Sequence, residues 1–152
     1  MFDSVGERWN PWKAARGIPG LQIRRIELPT DTGGSVLSRR DDRVWILLDR
    51  RLKGPERRCA LAHELVHLER GSSSRCRWSP RGWDVIVVRE ELRVDRIVAD
   101  RLVPHLELRA WVDRGVVAGH AIGAAEVAAK FEVTERIALI ALDRLPLVRT
   151  SA

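Results

Sequence analysis

The chain has 152 residues, 45% of them hydrophobic and 32% charged, which excludes a disordered or fibrous polypeptide and makes one compact domain over 1–152 the expectation. Its formal charge is +6, yet only Lys13, Lys53 and Lys130 among the 27 basic residues are not arginine. An arginine skew of this kind is weak evidence for nucleic-acid binding, although a basic surface does attract acidic partners over long range. The longest apolar runs, at 44–48 and 85–88, are far too short to cross a bilayer. The opening MFDSVGERWNPWK has no apolar signal-peptide region, and two cysteines, Cys59 and Cys76, make no disulfide framework. A cytoplasmic protein with reduced thiols and no membrane association is the expectation.

Residues 1–20 read as an arm, with Trp9 and Trp12 anchoring it to a core and a short helix at Pro11–Arg16. Residues 21–49 read as a small antiparallel sheet. Its strands are 21–28 and 35–48, separated by the turn-rich PTDTGG at 29–34, with a tight turn at Asp41-Asp42 inside the second stretch. The last strand, Arg43–Asp49, reads as an exposed edge able to hold an extended peptide by backbone hydrogen bonds.

The segment 56–70 has the marks of a helix. Pro55 precedes it, Glu56 is a favourable first-turn acid, and Gly71 stands where a helix ends. Leu61, Leu65 and Leu68 recur at helical spacing and give it a face to bury. Inside it lies His63-Glu64-Leu65-Val66-His67. Histidines four apart project from one side of one helix, so two imidazoles can meet a single metal ion, and H-E-x-x-H on a helix is a zinc-peptidase signature with the glutamate as general base. A short motif also arises by chance, and a helical histidine is often a surface or satisfied core residue. The amphipathic helix and the apolar, strand-like run before it favour the metal reading.

From Arg70 to Gly82 the chain is loop by composition, with four arginines and no acid. Such a loop either overhangs a site and favours acidic side chains in a substrate, or is simply a solvated lid. Cys76 within it can in principle approach a metal as a latency ligand, though a plain reduced thiol is the simpler reading; Cys59 reads as a small core residue. Helical character resumes near residue 84 and runs through 89–103 until Pro104 stops it. Glu91 and Asp95 there are four apart and share a face. Twenty-three residues separate His67 from Glu91, enough to lay a second helix across the first. Glu91 would complete a two-histidine, one-carboxylate zinc site that leaves a position open for water. Asp95 would sit behind it, accepting the ring N–H of one histidine and fixing its tautomer. Glu90 competes as ligand but lies about 100° round the helix and has no carboxylate four residues on.

RRCALAHELVHLERG followed by EELRVDRIVADRLVP resembles the ImmA/IrrE family of metallopeptidases. The family pattern is H-E-x-x-H, then E-x-x-x-(N/D)-x-x-A-x-x-L-x-x-P. Glu91, Asp95 and Pro104 carry the match, with Ala99 and Leu102 each shifted by one. The resemblance runs back through VWILLDRRL and forward to AAEVAAKFEVTERIALIALDRL, about residues 40–145. It implies an α+β fold, with the small sheet packed on a zincin-like helical core (zinc-site helices in 55–105). It also implies a gluzincin-like Zn2+ centre at His63, His67 and Glu91, and peptidase activity on a protein. A DNA-binding repressor in phage or mobile-element induction, or in stress regulation, is the candidate substrate.

Such chemistry needs a donor for the oxyanion that forms on the substrate carbonyl. The chain has no tyrosine. His105, just past Pro104, is a better candidate than His120; a loop arginine or a backbone N–H would serve as well. The C-terminal region, 106–148, resembles a helix-turn-helix over 119–145, with Thr134 as the N-cap of its second helix. Glu132 stands where that turn usually has glycine, and the second helix offers few polar side chains to base edges. These helices are therefore expected to pack on the core or help dock a substrate protein. A non-catalytic regulatory module that binds DNA or a protein is the alternative reading of the whole chain.

Overall fold

The computed structural model describes residues 8–72 and 85–146. Among the described residues, six α-helices and a three-stranded sheet make a mixed α+β architecture. Helix α1 (Pro11–Arg16) is capped by the Asn10 side chain, which accepts from the amides of Trp12 and Lys13, and has proline in its first turn. Strands β1 (Leu21–Ile26), β2 (Ser35–Arg40) and β3 (Arg43–Asp49) follow. A two-residue turn at Asp41-Asp42 joins β2 to β3, both residues having positive φ, as a tight hairpin turn of the I′ type requires.

The sheet is not the antiparallel one expected. Its order is β1-β3-β2; β2 runs antiparallel to β3, but β1 lies parallel to it. The reason lies in 27–34, which forms no hairpin and instead carries the chain past the end of β3 to the opposite edge. Asp49 at the end of β3 accepts the Leu28 amide at 3.1 Å, and Arg51 bridges the Asp49 carboxylate and the Leu28 carbonyl. Gly33 and Gly34 supply the positive φ that completes the reversal. β3 is consequently the central strand, with both backbone edges paired, and the peptide-holding role assigned to it is withdrawn.

Helix α2 (Gly54–Glu69) is the centre of the molecule. It carries a reciprocal N-terminal cap, in which Glu56 accepts the Lys53 amide, and it ends at Gly71 with φ +65°. Sequence periodicity identifies one apolar face; the structure gives α2 two. Leu61 and Leu65 pack on Leu37, Ile46 and Leu48 of the sheet and on Ala15 of α1. Cys59, Ala62 and Val66 pack the other way, into a cluster with Val94, Val98 and Leu102 of α3 (Val85–Leu102) and Leu108 of α4 (His105–Val117). Phe131 of α5 (Ala124–Phe131) and Ile137 and Ala141 of α6 (Glu135–Asp143) complete that cluster. The α5–α6 pair is thus part of the core, as expected. Thr134 caps α6 by accepting the Ile137 amide, and Glu132 adopts the left-handed conformation (φ +54°) that glycine usually fills. No helix among the described residues is long and apolar enough to cross a membrane.

Candidate metal centre

Because α2 is enclosed on both sides, its motif residues are buried: His63, Glu64 and His67 are all at or below 7% exposure. Helix α3 crosses α2 with Glu91 and Asp95, one turn apart, facing the two imidazoles. His63 Nε2 and His67 Nε2 lie 3.0 Å apart, and the Glu91 carboxylate straddles them, Oε2 at 3.2 Å from His63 Nε2 and Oε1 at 3.1 Å from His67 Nε2. These three side chains form a group that could hold a metal ion, brought together within the described residues.

The donor set fits a small dication. Tetrahedral bonds of about 2.0–2.1 Å place donors about 3.3 Å apart, a few tenths of an ångström beyond the separations here. The far nitrogens are fixed as such a centre requires. His63 Nδ1 faces Asp95 Oδ1 at 3.1 Å, and His67 Nδ1 faces the Ser72 hydroxyl at 2.8 Å, so both Nε2 atoms are directed to the common point. Glu64 is not one of the three. Ser35 Oγ donates to its Oε1 at 2.6 Å, while its Oε2 is buried without a hydrogen-bond partner among the described residues. A buried carboxylate oxygen without a partner calls for an explanation, and a bound water or ion would supply one.

Electrostatics point the same way. Burial works against charge on His63, but its bonds to Asp95 and Glu91, with the negative field of Glu64, outweigh it and raise the pKa to about 9. Burial likewise opposes ionisation of Asp95, and its bonds to His63 and Arg136 prevail, holding it below the usual carboxylate range. Without metal, then, a proton on His63 offsets part of the negative charge around it. Since the folded pKa exceeds the ordinary 6.5, the resulting stabilisation is complete below that value and is lost as pH rises through about 9. The melting temperature of chelator-treated protein should therefore fall over that window, and zinc added at the alkaline end should restore it. A flat profile would count against the assignment.

Glu90 is engaged elsewhere. The Arg70 guanidinium grips both its oxygens, at 2.6 and 3.0 Å, tying the end of α2 to the start of α3. His105 does not reach the centre. It begins α4 on the surface, and α3 carries the chain roughly 17 Å along its axis between Glu91 and Leu102, at about 1.5 Å per residue. The structure does not bring His105 into the group of His63, His67 and Glu91, and the oxyanion donor is unassigned. His120 is also exposed. Cys59 is buried in the helical core, where burial pushes its thiol pKa up. Cys76 and the arginines at 75, 77 and 81 lie outside the described residues.

Three supporting residues have no signal in the sequence motifs: Ser35 behind Glu64, Ser72 behind His67 and Arg136 behind Asp95. Only Ser72 is local. Its amide donates to the His67 carbonyl across the turn at Gly71, a helix-end geometry that a residue five beyond the histidine could have suggested. A cavity of about 280 Å³ opens beside His63, its wall including Ser35, Glu56, Asp95, Thr134 and Arg136. In comparisons with known proteins, no family model, no curated protein and no solved structure matches this chain, so the reading of the centre rests on its own geometry and on the resemblance of its motifs.

Proposed function

We propose that the protein is a zinc-dependent endopeptidase of the ImmA/IrrE type, acting on a protein substrate, with a DNA-binding repressor as the candidate. The observation that carries this reading is the convergence of three donors from two crossing helices, with a buried and unsatisfied glutamate oxygen beside them. A scaffold that only holds a metal has no use for that glutamate.

When bound, zinc would polarise a scissile carbonyl and bring the pKa of a bound water toward neutrality. The chain supplies the rest. Glu64, held through Oε1 by Ser35, keeps Oε2 free to accept a proton from the attacking water and return it to the departing amine. Asp95 and Ser72 keep the two imidazoles in the tautomer that presents Nε2.

The test is cleavage of a candidate repressor encoded beside the gene. Cleavage should stop with a strong chelator and return with stoichiometric zinc. Cleavage that persists after complete metal removal refutes the proposal.

One surface favours the alternative of a nucleic-acid-binding regulator. On the sheet face away from α2, the Arg24 guanidinium lies 5.5 Å from the Trp45 ring, on the face that Arg40 and Arg43 also share. A gel shift that weakens steeply with salt would support that reading.

A further inference from the structure

Arg136 links the C-terminal helix pair to the centre by hydrogen bonds. Arg136, in the first turn of α6, directs both Nε (3.2 Å) and Nη2 (2.5 Å) at Asp95 Oδ2, while Asp95 Oδ1 faces His63 Nδ1. Asp95 is buried at 5% exposure; the side chain of Arg136 is largely exposed. We infer that Arg136 is a positioning residue of the metal centre: by pinning one oxygen of Asp95 it orients the other toward His63, and so makes α6 part of the site. The inference rests on the metal reading above, but not on proteolysis.

A carboxylate held by one imidazole alone can still pivot about that contact, and a second anchor on the other oxygen removes this freedom. Two guanidinium N–H groups converging on Oδ2 do that in a fixed plane and balance the charge. The anchor itself is firm. Arg58 donates to the carbonyls of Phe131 and Glu132, and the Thr134 amide donates to Cys59 Sγ, so the α5–α6 turn is clamped to α2 one turn before His63. Arg136 therefore hangs from a point rigidly connected to the imidazole it serves. It also lines the cavity beside His63, so a group that fills this space meets it directly.

The experiment uses the full chain and zinc alone, with affinity read by competition against a chromophoric chelator and ligand geometry by the visible spectrum of the cobalt form. Arg136→Ala should weaken zinc binding about tenfold, within the range seen when groups behind metal ligands are removed, and should perturb the cobalt spectrum. Arg136→Lys should recover most of the loss. In an Asp95→Asn background, Arg136→Ala should change affinity by less than about twofold, because the residue it acts through is already neutral. Unchanged zinc affinity in Arg136→Ala overturns the inference. So does an equal tenfold loss in the Asp95→Asn background, which would mark a general effect of α6 packing. A parent chain that takes up no zinc removes the metal centre as well, and is thereby told apart from failure of the Arg136 link alone.

Discussion

Glu64→Gln is expected to bind zinc as the parent does and to cleave substrate about 10²–10⁴-fold more slowly, the usual range for loss of a positioned general base. The substitution is nearly isosteric. The amide oxygen can still accept from Ser35, as Oε1 does now at 2.6 Å, so the side chain should stay in place. What changes is the second position, where an NH₂ that cannot take a proton replaces the buried Oε2. Glu64 lies outside the group of His63, His67 and Glu91, so zinc content should not fall. Zinc binding and the melting temperature, measured beside cleavage, separate loss of the base from loss of the fold. Parent-like cleavage by this variant would show that Glu64 is not the base.

The second large effect is expected from Glu91→Ala, which should weaken zinc binding more than 100-fold. Removing a residue behind a metal ligand costs about 10–100-fold, and a ligand itself should cost more. His63 and His67 would remain 3.0 Å apart with no carboxylate between them. The effect can be read without a substrate. Zinc at about 100 times its dissociation constant should stabilise the parent by about 2.7 kcal/mol, raising its melting temperature, and the same concentration should hardly shift the variant. Glu90→Ala is the matched control. Its carboxylate pairs with Arg70 outside the centre, so zinc should still raise the melting temperature by the parent amount. If zinc protects Glu91→Ala as fully as the parent, the third donor has been misassigned.

These expectations combine two kinds of information. What was legible in the chain is what depends on near neighbours. The α1 helix, the hairpin turn at Asp41-Asp42 and α2, with Pro55 in its first turn and Gly71 beyond its end, follow from turn, cap and periodicity rules over a few residues. Four-residue spacing likewise puts His63 beside His67 and Glu91 beside Asp95, because one helical turn brings such pairs to one face. The exposed position of His105 was not legible, since adjacency to a ligand helix says nothing about which end of it meets the partner.

By itself, then, the sequence determined the elements and the side chains each could present: a helix bearing two imidazoles and a carboxylate, and another bearing two acids. Only the tertiary structure decided that β1 lies parallel to a central β3, because 27–34 can form a hairpin or a crossover with the same turn residues, and the distant Asp49–Leu28 and Arg51–Leu28 bonds select the crossover. It also decided which side chains stand behind the centre. Ser35 and Arg136 lie 29 and 41 residues from their partners, and such distant pairs meet only once burial of α2 between sheet and helices has closed the intervening chain.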